Sequence, residues 1–244
     1  MIMKKYTKLL TLAGIIACAG ITCAVAQETT AEATDQPTKP NIILILVDDM
    51  GPGEPSYAGG IIPTPAIDSL AAEGMNFTDA HTSSAVCTPT RYGIMTGRYN
   101  WRSRLKKGVL IGATSKSLMD PNRLSVPSYL QKQGYHTNLV GKWHLGLDWV
   151  TLAKDHPDYK QKFFDSWKID YTKPFKNGPI DNGFDQAFFI CGSLDMPPYT
   201  YLEGNKVTKI PTVNRGFLHN EYNDHTRIGA AAEDFQASEV LETF

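Results

Sequence analysis

The sequence predicts an α/β fold with a largely parallel central sheet. Three observations carry this prediction. Residues Ile42–Val47 form an unbroken aliphatic run without alternation, as a central strand buried on both faces requires. Two stretches, near Thr64 and near Ser125, read as capped helices stopped by glycine. The second is followed by a strand-like run, so strand and helix patterns alternate along the chain.

Taken in order, the chain starts with a positive cluster of Lys4, Lys5 and Lys8, an apolar run over 9–25, and the sequence AVAQ. This is the plan of an export signal cleaved before Gln27, giving a leader over 1–26. A lipoprotein with its lipid on Cys18 is the weaker alternative. A retained membrane anchor is weaker still, because Thr11, Gly14, Gly20 and Thr22 interrupt a run barely long enough to span. The expected location is therefore periplasmic or secreted, with no stable membrane anchor. Residues 27–39 are polar and aperiodic and read as a flexible linker. Order is expected from residue 40 onward.

After the aliphatic run, Asp48 and Asp49 stand at the predicted strand's carboxyl end, before Gly51-Pro52-Gly53. Thr64 is a candidate N-cap, Pro65 the first helical residue, and Gly74 the stop, with Ile67, Leu70 and Ala71 on one face. A short strand is expected over 75–78. A helix is expected from about Pro89 to Thr96, closed by Gly97. The next helix spans about 125–133, with a strand over 135–140. The region 154–214, rich in aromatic residues, Pro, Gly and Asn, reads as long loops or an irregular insertion. The last stretch, 223–244, reads as an amphipathic helix.

The 244 residues suffice for a sizeable core, and a formal charge of −1 argues against nucleic acid as a main partner. Loss of the leader removes three lysines and no acid, leaving −4. Export leaves Cys87 and Cys191, for which a disulfide is the composition-level expectation.

Three clusters can carry chemistry. Asp48 and Asp49 offer adjacent carboxylates where open α/β sheets bind ligands, a natural pair for a hard divalent cation or simply a polar strand end. Cys87 precedes Thr88 and Pro89 at a helix start, where unpaired N–H groups favour a thiolate and an anion. Arg91, one turn on, shares its face and matches the oxygens of sulfate or phosphate. Lys142 and His144 would point to one side if the strand continues through Lys142. Each cluster alone is an ordinary surface feature. Together they form a kit for cleaving an ester of a tetrahedral oxyanion, and they turn the reading of Cys87 away from a disulfide.

Three sequence blocks closely resemble the type I sulfatase family: NIILILVDDMG, AVCTPTRYGIMTG with its Cys-x-Pro-x-Arg signature, and GYHTNLVGKWHLG. GPIDNGFDQAFF and SLDMPPYTYLEG add to the likeness, which covers about 40–202. The resemblance implies an alkaline phosphatase-like three-layer sandwich. It also implies that Cys87 is oxidised to a formylglycine whose hydrate attacks sulfur, by a maturation enzyme that is a transient partner. By the same resemblance, Asp48 and Asp49 would bind calcium with the matured Cys87. Arg91 would hold the formylglycine, Lys142 would contact the sulfate, and His144 would orient the formylglycine hydroxyl. The implied substrates are sulfated carbohydrates or aryl sulfates.

Thr90 stands where serine is commonest, which leaves the type of maturation enzyme open. The Asp181-Asn182-Gly183 triplet comes too early to be the family's later metal-binding pair and reads as a turn. That later portion is not found here, so residues 40–244 are expected to be the N-terminal part of a catalytic domain. A phosphate or phosphonate ester hydrolase of the same fold, and a non-catalytic fragment, are the alternatives. Arg91, Arg98, Arg102, Arg104, Lys106 and Lys107, with Tyr99 and Trp101 among them, have the composition of a nucleic-acid patch, but with the acidic mature charge they read as the solvated rim of an anion-binding cleft.

Overall fold

The computed structural model describes residues 39–111, 114–154, 165–216 and 227–244. The expected leader and most of the linker lie outside them. The chain divides into two compact units, Met1–Val47 and Asp48–Phe244.

In the first unit, the described residues 39–47 contain no helix or strand. Ile43 is 84% exposed and Ile45 73%, so the expected doubly buried strand over 42–47 is not formed. A strand exists through its hydrogen-bonded neighbours, and none of the described strands pairs with this run. The short strand expected over 75–78 is absent for the same reason.

In the second unit, α1 (Pro65–Glu73) opens with Pro65 in its first turn. Thr64 occupies the N-cap position without capping, because its hydroxyl donates to Asp68 Oδ1 at 2.8 Å. α2 (Cys87–Thr96) starts two residues before the expected Pro89, so Cys87 is its first residue. Gly97 ends it at φ 63, its N–H donating to the Gly93 carbonyl at 2.8 Å. α3 (Val126–Lys132) is capped by Ser125, whose Oγ accepts from the Ser128 N–H at 3.2 Å.

β1 (Asn138–Lys142) runs parallel to β2 (Gln186–Ile190), with Lys142 opposite Ile190. β3 (Tyr201–Glu203) and β4 (Lys206–Val207) continue the sheet antiparallel, in the order β1-β2-β3-β4. The α/β class with parallel pairing holds, and the parallel pairing lies at the β1–β2 edge. The core beneath gathers Trp143, Leu145, Leu147, Phe175, Phe189 and Leu202, all nearly fully buried. Burial of these side chains, at about 1.5–3 kcal/mol each, supports the sheet.

The Asp181–Gly183 triplet is a turn, as expected. Asn182 Nδ2 donates to the Gly178 carbonyl at 2.7 Å, and Gly183 sits at φ 97. A Cβ on Gly183 would lie 2.2 Å from Ser128 Oγ, so only glycine lets α3 dock here.

The expected terminal helix over 223–244 does not form where it is described. β6 (Gly229–Ala231) pairs antiparallel with β5 (Val213–Arg215), and helix is confined to a 3-10 turn, Ala237–Glu239, running into α4 (Val240–Thr243). Ala230 and Ala231 are fully buried, so tertiary pairing overrides alanine's helix preference.

Candidate active site

The site assembles where the carboxyl ends of two parallel strands meet the start of a helix. β1 ends at Lys142 and β2 at Ile190, so the chain after β2 passes beside the end of β1. α2 brings Cys87 and, one turn later, Arg91 to the same place. Carboxyl ends of parallel strands are where open α/β sheets bind ligands.

Lys142 is the hub. Its Nζ donates to Asp48 Oδ2 at 2.5 Å, to Cys87 Sγ at 3.2 Å and to Ser193 Oγ at 3.2 Å. Arg91 splits its guanidinium: Nη1 donates to the Lys142 carbonyl at 2.6 Å, and Nη2 to Asp48 Oδ2 at 3.3 Å. Cys87 Sγ lies 3.9 Å from Asp48 Oδ1. The Lys142 and Arg91 side chains are only 12% and 14% exposed, which strengthens their fields relative to water. Burial pushes the Asp48 carboxyl up, but the Lys142 and Arg91 bonds and charges outweigh it, and the net pKa lies below the ordinary range. Val86, the N-cap of α2, supplies no side-chain cap, so first-turn N–H groups remain available beside Cys87.

His144 sits apart from this hub. β1 ends at Lys142 and His144 adopts φ 51, so alternation along an extended strand does not carry it to the same side as Lys142. Its ring Nε2 pairs with the Leu110 carbonyl at 2.8 Å, and no hydrogen bond to Cys87 is found among the described residues. The ring is buried, and its Nδ1 has no hydrogen-bond partner among the described residues. Burial, with the Lys142 and Arg91 charges, lowers its pKa to about 4 against the opposing Leu110 bond, so it is neutral at pH 7. Thr88 ties this layer together: its hydroxyl donates to the His144 carbonyl at 3.0 Å and accepts from the Leu110 N–H at 3.2 Å.

The structure thus brings Asp48, Cys87, Arg91 and Lys142 together. Asp49 adopts φ 58 and makes no hydrogen bond to the hub among the described residues. Its carboxylate and that of Asp48 are hard oxygen donors suited to calcium. Among the described residues, however, no group of three His, Cys, Asp or Glu side chains is gathered to hold a metal, so the donor type fits while the set is incomplete. Cys87 and Cys191 are both free, without the disulfide that composition allowed. Burial pushes the Cys191 thiol up to about 12. Sequence reasoning missed Ser193 and Thr88. Thr88 was visible as the residue between Cys87 and Pro89, and Ser193 opens the SLDMPPYTYLEG block, which gave it no role at the site.

Comparison with known proteins identifies the family and the fold. The sulfatase family profile matches residues 40–207. The chain is 36% identical over 175 residues to N-acetylgalactosamine-6-O-sulfatase of Bacteroides thetaiotaomicron, a match covering 69% of this chain and 30% of that protein. It is 41% identical over 115 residues to human steryl-sulfatase, covering 45% of this chain and 20% of that protein. The chain therefore spans less than a third of these curated relatives. A solved structure from work on the metabolism of multiple glycosaminoglycans by Bacteroides thetaiotaomicron superposes with a TM-score of 0.59 at 31% identity, covering 76% of this chain and 36% of that one. The structure named Ps i-CgsB superposes with a TM-score of 0.51 at 26% identity, covering 70% and 37%. These neighbours give the alkaline phosphatase-like α/β fold. With the family profile matched across more than half its length, the chain belongs to the sulfatase family.

Proposed function

We propose that the protein hydrolyses sulfate esters of sulfated carbohydrates or aryl groups. The observation that carries this reading is the Lys142 Nζ, 3.2 Å from Cys87 Sγ and bonded to Asp48, with Arg91 bracing the same carboxylate. A nucleophile position between two poorly exposed cations suits attack on an anionic ester. The cations offset the charge that builds on the oxyanion in the transition state.

In this reading Cys87 is matured to formylglycine by a separate enzyme, and the observed Sγ stands in for the oxygen of the matured side chain. Lys142 reaches both that atom and a substrate oxygen. Arg91 fixes Asp48 and the end of β1. Ser193 offers a hydroxyl that orients the Lys142 ammonium. A calcium ion held by Asp48, Asp49 and the matured position 87 would supply further positive charge. His144, neutral and anchored on Leu110, has its Nδ1 available to orient a hydroxyl. Relatives named for N-acetylgalactosamine-6-sulfate, steryl and aryl sulfates support the substrate class. We also propose export, from the leader pattern over 1–26.

The test expresses the chain in a host with the maturation enzyme and compares rates on nitrophenyl sulfate and nitrophenyl phosphate. Sulfate is expected to be cleaved faster, and Cys87→Ala is expected to bind the sulfate ester without cleaving it. Faster phosphate cleavage favours the phosphatase reading. No turnover with Cys87 shown by peptide mass to be fully converted favours the non-catalytic reading.

A further inference from the structure

We infer that the exposed Tyr99–Trp101 pair and the cations around it form a docking platform for a sulfated polysaccharide, away from the reacting centre. The choice of ligand rests on the sulfate-ester reading, while the geometry rests on residues outside that site.

Past Gly97 the chain forms the single 3-10 turn Asn100–Arg102. Asn100 is buried and its Nδ2 donates to the Leu105 carbonyl at 2.9 Å, so the turn is held from inside. Tyr99 precedes the turn and Trp101 is its middle residue; both are exposed, at 49% and 52%. Their rings stack with centroids 4.0 Å apart and planes 12° apart. Single exposed apolar residues are ordinary, but two large rings stacked on each other at the surface form one broad, preset apolar face. Lys106 Nζ donates to the Trp101 carbonyl at 2.7 Å, which fixes a cation beside that face.

The stretch is strongly cationic. Arg98, Arg102, Arg104, Lys106 and Lys107 lie between Gly97 and Gly108, with no acid among them, in a chain whose formal charge is −1. Arg102, Arg104, Lys106 and Lys107 are exposed. Among the described residues, no ion pair involves any of the five. Arg104 donates to the Lys116 and Ser117 carbonyls, which position it without neutralising it. Charge of one sign gathered around an apolar face matches a ligand that is both ring-bearing and polyanionic. A sulfated sugar offers the C–H face of its ring to the aromatic plane and its sulfate oxygens to guanidinium and ammonium groups.

The platform lies at the far end of α2 from Cys87. Ten helical residues rise about 15 Å, so Tyr99 and Trp101, expected from the sequence at the rim of the anion-binding cleft, grip a polymer away from the ester being cleaved.

The test titrates the full chain with dextran sulfate, neutral dextran and a single-stranded oligothymidylate, at low and high salt. Dextran sulfate is expected to bind at least about tenfold tighter than either comparator, and more weakly at high salt. Trp101→Ala is expected to weaken it about fivefold or more. Arg102→Gln is expected to weaken it and flatten its salt dependence. Turnover of nitrophenyl sulfate is expected to stay within twofold in both variants, and circular dichroism checks that each stays folded. Unchanged dextran sulfate affinity in both variants overturns the proposal, as does equal or tighter binding of oligothymidylate. Absence of nitrophenyl sulfate turnover in the unmutated chain counts against the sulfate-ester reading instead, since binding is measured independently of turnover.

Discussion

Thr88→Val should destabilise the protein more than Thr88→Ser, although valine is closer to threonine in size. Thr88 is fully buried, and its hydroxyl serves both the His144 carbonyl and the Leu110 N–H, at 3.0 and 3.2 Å. Valine keeps the shape and removes both bonds, which leaves a backbone acceptor and a backbone donor dry and unpaired. Each orphaned group costs about 1–3 kcal/mol, so the sum is about 2–6 kcal/mol. For a domain of this size about 2–4 °C of melting temperature is lost per kcal/mol, giving a drop of roughly 4–24 °C. Serine keeps the hydroxyl and loses one methyl group, for about 1 kcal/mol. Thermal unfolding at pH 7.5, followed by circular dichroism, ranks the two variants. A valine variant that melts at or above the serine variant would refute the claim that the hydroxyl, rather than the methyl group, holds this layer.

Two further outcomes follow from the same region. His144 has a folded pKa of about 4 against an ordinary 6.5, so between those values the unfolded chain binds a proton that the folded chain does not. Its contribution is complete above pH 6.5 and is lost as pH falls toward 4, about 3 kcal/mol in all; urea unfolding of His144→Gln should show a flatter stability profile across that window, and an unchanged slope would count against it. Lys142→Gln, in matured protein, should lower kcat on nitrophenyl sulfate about 100- to 1000-fold; a loss smaller than tenfold would remove Lys142 from the role proposed for it at the oxyanion.

The parts of the fold legible in the sequence were those set by local chemistry. Ser125 caps α3, Gly97 ends α2, and Gly183 makes the turn, because each depends on a few adjacent residues. The gathering of Cys87, Arg91 and Lys142 was legible for a related reason: Cys87 and Arg91 are one helical turn apart, and Lys142 ends a strand. What failed depended on distant partners. The run 42–47 has the composition of a buried strand, but none of the described strands pairs with it. The alanines at 230–232 read as helix, yet Ala230 and Ala231 lie opposite Asn214 and Val213. The place of Ser193 at the site is invisible in the sequence because nothing before the β1–β2 register places it beside Lys142. His144 was expected on the Lys142 side by strand alternation, which its positive φ interrupts.

The split guanidinium of Arg91 has a mechanical meaning. One prong holds the main chain at Lys142 and the other holds Asp48, so a single side chain pins the start of a helix to the end of a strand. Two cations and a carboxylate are thereby locked at fixed separations by the act of folding, with little left to reorganise when an anion arrives. A lysine at this position would keep the charge and lose the bracket. The same rigidity leaves the cluster unable to adapt to anions of another shape, so variety in what the protein accepts has to come from surfaces outside it.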